Sequence, residues 1–182
     1  MSLGLAIDPG LSSGMCLFRW DYRTPFMRQR VWQFGNGAQG LSLMLDTLRI
    51  HTDGYRVFVG DEELDALVVE KFTPRPHESF ALTQKAVEPL RGEGVLIGRG
   101  FDPFIQWREP SQQYFMGGGD LADKKKRSRE FLKLHGLHLT GSMVGQKDAD
   151  DAISATLHAI SWMRKIKHMP TLEDLFMPKE TE

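Results

Sequence analysis

One cysteine, Cys16, stands among the 182 residues, so there is no second thiol for an internal disulfide, and the chain fits a reducing compartment. Cys16 lies in an apolar, strand-like run and reads as a small buried hydrophobe. Neither sign of charge is in excess: 23 Lys and Arg against 24 Asp and Glu give a formal net charge of -1 and a pI of about 6.6. Any contact with nucleic acid must therefore come from local patches, not from bulk charge. None of the six histidines stands in a paired metal spacing, and His135 and His138, either side of Gly136, read as surface residues. No apolar run approaches membrane-spanning length and no basic start precedes an apolar block, so a soluble cytoplasmic protein without a membrane partner is expected. Internal repeats and linkers are also missing. The expectation is one α/β domain over 1–168 with a loosely tethered tail over 169–182.

What is present begins with Leu3 to Phe18, LGLAIDPGLSSGMCLF. An apolar run ends in Asp8, the chain turns through Pro9 and Gly10, and a second apolar run leaves after Ser12, Ser13 and Gly14, which predicts a strand, a tight turn and an antiparallel return strand. Gln29 to Phe34 alternates and is aromatic-rich, completing a three-stranded meander. Leu41, Met44, Leu45 and Leu48 recur at helical spacing and predict a helix ending near His51 to Gly54, with Gly54 as its cap. Leu64 to Glu70, LDALVVE, has the apolar content of a strand covered on both faces. It too ends in a carboxylate. Phe80 to Ile97 reads as a helix with Leu82, Ala86 and Leu90 on one side, interrupted by Pro89, Gly92 and Gly94. Phe104 to Arg108 supplies a fifth strand.

The three consecutive glycines before Asp120 lack the Gly-Lys-Ser/Thr ending of a phosphate loop, and no nucleotide cofactor is expected. Leu121 to Leu134 predicts a helix in which Asp123 to Lys133 holds six basic residues against two acidic ones. Lys125, Arg129 and Lys133 fall on one stripe, which alone reads as a solvated face. Asp148 to Lys167 closes the chain as an amphipathic helix with Ile153, Leu157, Ile160 and Trp162 or Met163 inward.

Carboxylates therefore stand at three element ends: Asp8, Glu70, and Asp148 with Asp151. The last two are three apart and share a helix face, whereas Asp150 points away and reads as surface. Each has a structural alternative, Asp8 as a turn acceptor, Glu70 as a solvated strand end and Asp148 as a helix N-cap. If the two acid-ending strands are neighbours and the last helix starts beside them, the four acids converge and repel, which is costly without a multivalent cation. Oxygen-only ligands point to Mg²⁺, with Mn²⁺ as a substitute, and two such ions suit attack of water on a phosphodiester.

The ordered segments LAIDPGLSSGMCLF, ALVVEKF, GGGDLADKKKRSREFL and KDADDAISATLHAI together resemble the RuvC family of Holliday-junction resolvases, in the RNase H-like superfamily. The resemblance implies a five-stranded mixed sheet, an antiparallel meander plus two parallel strands, flanked by helices. It implies that Asp8, Glu70, Asp148 and Asp151 bind two Mg²⁺ ions, that Lys124 lies beside the scissile phosphate, and that a homodimer cuts opposed strands of branched DNA. Lys71, Phe72 and Arg75, with Lys124, Lys125, Lys126, Arg127 and Arg129, would supply the DNA contacts. The family often places an aromatic wedge three residues after the strand-end Glu. Here that position is Thr73 and the aromatic is Phe72. The near-neutral charge further suggests a divergent, phage-type member acting in a bacterial or phage-infected cell.

Two other nucleic-acid readings stay open, a nuclease of the same fold acting on a flap, fork or RNA precursor, and a non-catalytic scaffold. AIDPGLSSGM also resembles the phosphate hairpin of actin-like and sugar-kinase ATPases. Those need two such lobes and a longer chain.

Overall fold

The computed structural model describes residues 1–21, 26–72, 84–110, 120–139 and 149–166. Three strands open the chain, β1 (Ser2–Asp8), β2 (Ser13–Trp20) and β3 (Met27–Phe34), paired antiparallel as the alternation predicts, with Asp8 opposite Gly14. The Ser13 hydroxyl closes the turn by bridging the Gly10 N–H and carbonyl. Gly4 has a packing reason: a Cβ there would collide with the Phe18 ring.

The helix α1 (Gly37–Thr47) ends earlier than its periodicity predicts. Leu48 donates back to the Met44 carbonyl at 2.9 Å, and Arg49 takes a left-handed φ of 54°, which turns the chain out of the helix. The expected cap, Gly54, lies instead in a hairpin turn where Asp53 accepts from the Tyr55 and Arg56 N–H groups, each at 2.8 Å. This hairpin belongs to a small antiparallel sheet of β4 (Ile50–Thr52), β5 (Val57–Val59) and β6 (Glu62–Leu64), which the sequence reading missed. Three-residue strands are too short to show a period.

Asp65 then breaks the predicted LDALVVE run, its carboxylate accepting from the Leu3 N–H at 2.9 Å. After it, β7 (Ala66–Glu70) runs parallel to β1. The helix α2 (Gln84–Gly98) continues through Pro89. Leu90 is 48% exposed and not on its packed side, where Leu96 is buried instead; Leu82 and the Ala86 side chain lie outside the described residues. Gly100, at φ 80°, ends α2 with Phe101 donating to the Leu96 carbonyl, a left-handed cap that only glycine enters without strain. The last strand, β8 (Ile105–Arg108), is parallel to β7.

The main sheet is thus five-stranded and mixed, in the order β3-β2-β1-β7-β8. Period-2 alternation sends Leu3, Leu5 and Ile7 with Leu67 and Val69 to one face, where Leu41, Leu45 and Leu96 of α1 and α2 cover them. Ala6, Val68, Cys16 and Phe18 go to the other face. There α3 (Leu121–Leu134) and α4 (Asp150–Ile166) close the molecule, α4 through Ile153, Leu157, Ile160, Trp162 and Met163, as its spacing predicts. Cys16 is buried. Residues 167–182, which include the expected tail, lie outside the described residues, and no helix among those described is long and apolar enough to cross a membrane.

Candidate active site

β1 and β7 stay in register through Ile7 and Val69, and the next residue on each is the acid: Asp8 and Glu70. Because alternate residues share a face, both carboxylates fall on the side of Ala6 and Val68, under α4. Only a close approach brings that helix to them. Its first turn rests on Gly14 of β2, where a Cβ would collide with the Asp151 carbonyl, and the Asp151 N–H, one of the unpaired donors at the helix start, is taken by the Gln33 side chain at 3.0 Å. Ala152, Ala155 and Ala159, all buried, let α4 lie near the sheet.

Asp8, Glu70 and Asp151 share one electrostatic neighbourhood. Burial pushes the Asp8 carboxyl up to about 8, Glu70's charge adds to that, and a hydrogen bond from Ser154 opposes it. Glu70 is pushed up to about 7 by burial and by the charges of Asp151 and Glu109. Asp151 is raised by burial, against a hydrogen bond from Ser12. Asp148 lies outside the described residues. Among the described residues no three acidic, histidine or cysteine side chains are grouped so that they could hold a metal ion as they stand. The donor set nevertheless has the chemistry of a hard-cation site: oxygen-only, partly desolvated, and mutually repelling unless a cation is present.

His158 is a participant that the sequence reading missed. It is buried on α4 and its Nε2 pairs with Glu70 Oε2. Burial drives its pKa down to about 4, opposed by the Asp8 charge, so the ring is neutral near pH 7. A signal was available: Ser154 and His158 follow Asp151 by three and seven residues, the spacing of one helix face. Arg108 is also buried there; β8 places it opposite Glu70, and its guanidinium donates to the Ser161 hydroxyl at 2.8 Å.

The basic stripe of α3 is solvated as expected, Lys133 exposed and the Lys125 and Arg129 side chains 42% and 48% exposed, but it is also tied by ion pairs. Asp120 caps α3, accepting from the Asp123 N–H at 2.8 Å. Lys125, at 2.9 Å, and Arg129 both pair with Asp150. Asp150 is therefore not a plain surface acid: its side chain is 34% exposed, and the hydrogen bond from Lys125 holds its pKa below the usual carboxylate range. Lys124 and Arg127 are half-buried and Lys126 exposed. Lys71 and Phe72 leave the acid-bearing end of β7, Lys71 exposed and donating its N–H to the Arg108 carbonyl, Phe72 donating its N–H to Glu93. Thr73 and Arg75 lie outside the described residues.

A mixed five-stranded sheet in the order β3-β2-β1-β7-β8 with helices on both faces is an RNase H-like α/β fold. The solved structures agree on the fold. The chain is similar to a RuvC of Thermus thermophilus solved in complex with a Holliday junction substrate, at a TM-score of 0.54 and 13% identity, over 98% of this chain and 99% of that one. It is also similar to a Fowlpox virus resolvase solved with Holliday junction DNA, at a TM-score of 0.51 and 11% identity, over 88% and 98%. No protein-family model matches the sequence, and no curated protein does.

Proposed function

We propose that this chain is a divalent-metal-dependent endonuclease of branched DNA, with the four-way junction as its preferred substrate. The observation that supports the reading is that Asp8 and Glu70 share one sheet face beneath the helix start bearing Asp151, electrostatically coupled to it, in a fold similar over nearly its whole length to that of a junction-bound RuvC.

In this reading Asp8, Glu70 and Asp151, with Asp148, hold two Mg²⁺ ions, and Mn²⁺ can substitute. Bound there, the ions supply an activated water and charge stabilisation at the leaving oxygen. The chain's own residues do the rest. Asp8, coupled electrostatically to both Glu70 and Asp151, would be a ligand at the centre of the set. Lys124, on the first turn of α3, meets the scissile phosphate. Lys71 and Phe72 at the β7 end, Arg75 three residues later in the sequence, and Lys125, Lys126, Arg127 and Arg129 on α3 contact the flanking backbone, giving affinity that falls with salt. Branch recognition rests on DNA shape and on a homodimer that presents two such sites to opposed strands.

The test is cleavage of labelled four-way junction, flap, fork and duplex side by side, with Mg²⁺, with Mn²⁺ and with chelator. Metal-dependent incision of the junction ahead of the other substrates is expected. Incision of flaps or RNA instead would move the reading to another nuclease of this fold. Binding with no incision under any metal would leave a scaffold.

A further inference from the structure

His158 occupies a position where an apolar residue would need no partner. It is 0% exposed, in the middle of α4 between the buried Leu157 and Ala159. A polar ring in such a place is costly unless hydrogen-bonded, and its bond goes to Glu70. The other ring nitrogen, Nδ1, is buried and has no hydrogen-bond partner among the described residues. That asymmetry selects the tautomer. A neutral imidazole carries one N–H; placed on Nδ1 it would be an unsatisfied buried donor, whereas placed on Nε2 it is used. His158 therefore donates to the Glu70 carboxylate.

We propose that His158 is the positioning residue of the acidic site: its Nε2–H fixes the rotation of the Glu70 carboxylate so that Glu70 is held ready to receive a divalent cation. The proposal rests on the metal-site reading given above. The helix supplies the connection, since the turn that brings Asp151 to the site also brings Ser154 to Asp8 and, one turn later, His158 to Glu70. Ligating carboxylates commonly depend on such outer hydrogen bonds, whose loss lowers metal affinity by about 10–100-fold.

The experiment is calorimetric titration of the full chain with MnCl₂ near neutral pH, for wild type, His158→Phe, His158→Gln and His158→Asn, with metal-free melting recorded alongside. A glutamine amide reaches the position of Nε2, while an asparagine amide stops near that of Nδ1. The expected result is affinity lowered by about 10–100-fold in the Phe and Asn variants and largely recovered in the Gln variant. Wild-type affinity in His158→Phe overturns the proposal, as does an equal loss in Gln and Asn, which would make the ring only a space-filler. Should the Phe variant fail to fold, the Gln and Asn pair decides alone, because the two share chemistry and differ in reach. No binding by wild type would sink the metal-site reading itself, a separate failure.

Discussion

On one face of the main sheet Leu3, Leu5, Ile7, Leu67 and Val69 meet Leu41, Leu45 and Leu96 in an apolar layer. On the other, the alternate residues of the same two strands are small, Gly4, Ala6, Ala66 and Val68, and the series ends in Asp8 and Glu70. One face takes α1 and α2 on Leu41, Leu45 and Leu96; the other takes α4, whose buried Ala152, Ala155 and Ala159 lie among its bulky residues and whose Ser154 and His158 bond the strand-end acids. The difference separates two tasks. The first face is apolar throughout, whereas the second joins an equally apolar core of Phe18, Leu157, Ile160 and Trp162 to a strand end that holds like charges together.

The largest test of that division is Asp8→Asn. Cleavage of a junction should fall by more than the roughly 100-fold that an outer hydrogen bond is worth, while gel-shift binding persists and metal-free melting stays level or rises, since a repelling carboxylate has gone. Loss of binding in step with cleavage would mean that Asp8 organises the fold, not the chemistry. On the opposite face Leu5→Ala should behave in the reverse way. It removes a fully buried side chain, which costs about 2–5 kcal/mol in urea unfolding, with Mn²⁺ affinity of the folded protein retained. If Leu5→Ala also weakens metal binding, the two faces are not independent.

Much of this contrast was legible in the sequence, and the part that was not has physical causes. Short apolar runs ending in Asp8 and Glu70 declared both strands and both acids, and the 3.6-residue spacing of Ile153, Leu157 and Ile160 declared α4. The small sheet of β4, β5 and β6 could not be read, because three residues carry no period, and Arg49 ends α1 in a left-handed conformation that its residue type does not advertise. Asp150 was misjudged for another reason. Helical geometry turned it away from Asp151 correctly, but its partners Lys125 and Arg129 lie on another helix, and tertiary ion pairs have no local signature. His158 was passed over because its partner, Glu70, lies 88 residues away.

The acids also make the two faces respond differently to pH. Asp8 and Glu70 titrate near 8 and 7 when folded, above their unfolded values, so the folded chain holds the extra protons. The stability they contribute is complete below about pH 4 and is lost as pH rises through 7 and 8. His158, lowered to about 4, acts oppositely, but only below its unfolded value of about 6.5. Between pH 6.5 and 8 the acids act alone. Metal-free melting should therefore fall across that window, and Mg²⁺ should reverse the fall, because cation binding favours the ionised carboxylates. A flat profile without metal would mean that the acids are already solvated and that this face stores no repulsion.

The smallest effect concerns the seam between α3 and α4. Asp150 and Asp151 are adjacent yet oppositely shifted, Asp150 lowered by its hydrogen bond from Lys125 and Asp151 raised by burial. Asp150 holds two of the cations assigned to DNA, so a phosphate arriving at Lys125 and Arg129 must displace it. Asp150→Asn should cost less than about 1 kcal/mol of stability, as partly exposed pairs do, and should tighten junction binding. With both cations released, the slope of log affinity against log salt should steepen by up to about 2, measured by fluorescence anisotropy across a salt series. Weaker binding with an unchanged slope would mean that Asp150 sets the angle of the basic helix instead of competing for it. Tighter binding with the steeper slope would make the acid beside the site part of the DNA interface, and the boundary between the stabilising and reactive parts of the α4 face would move one residue toward the N-terminus.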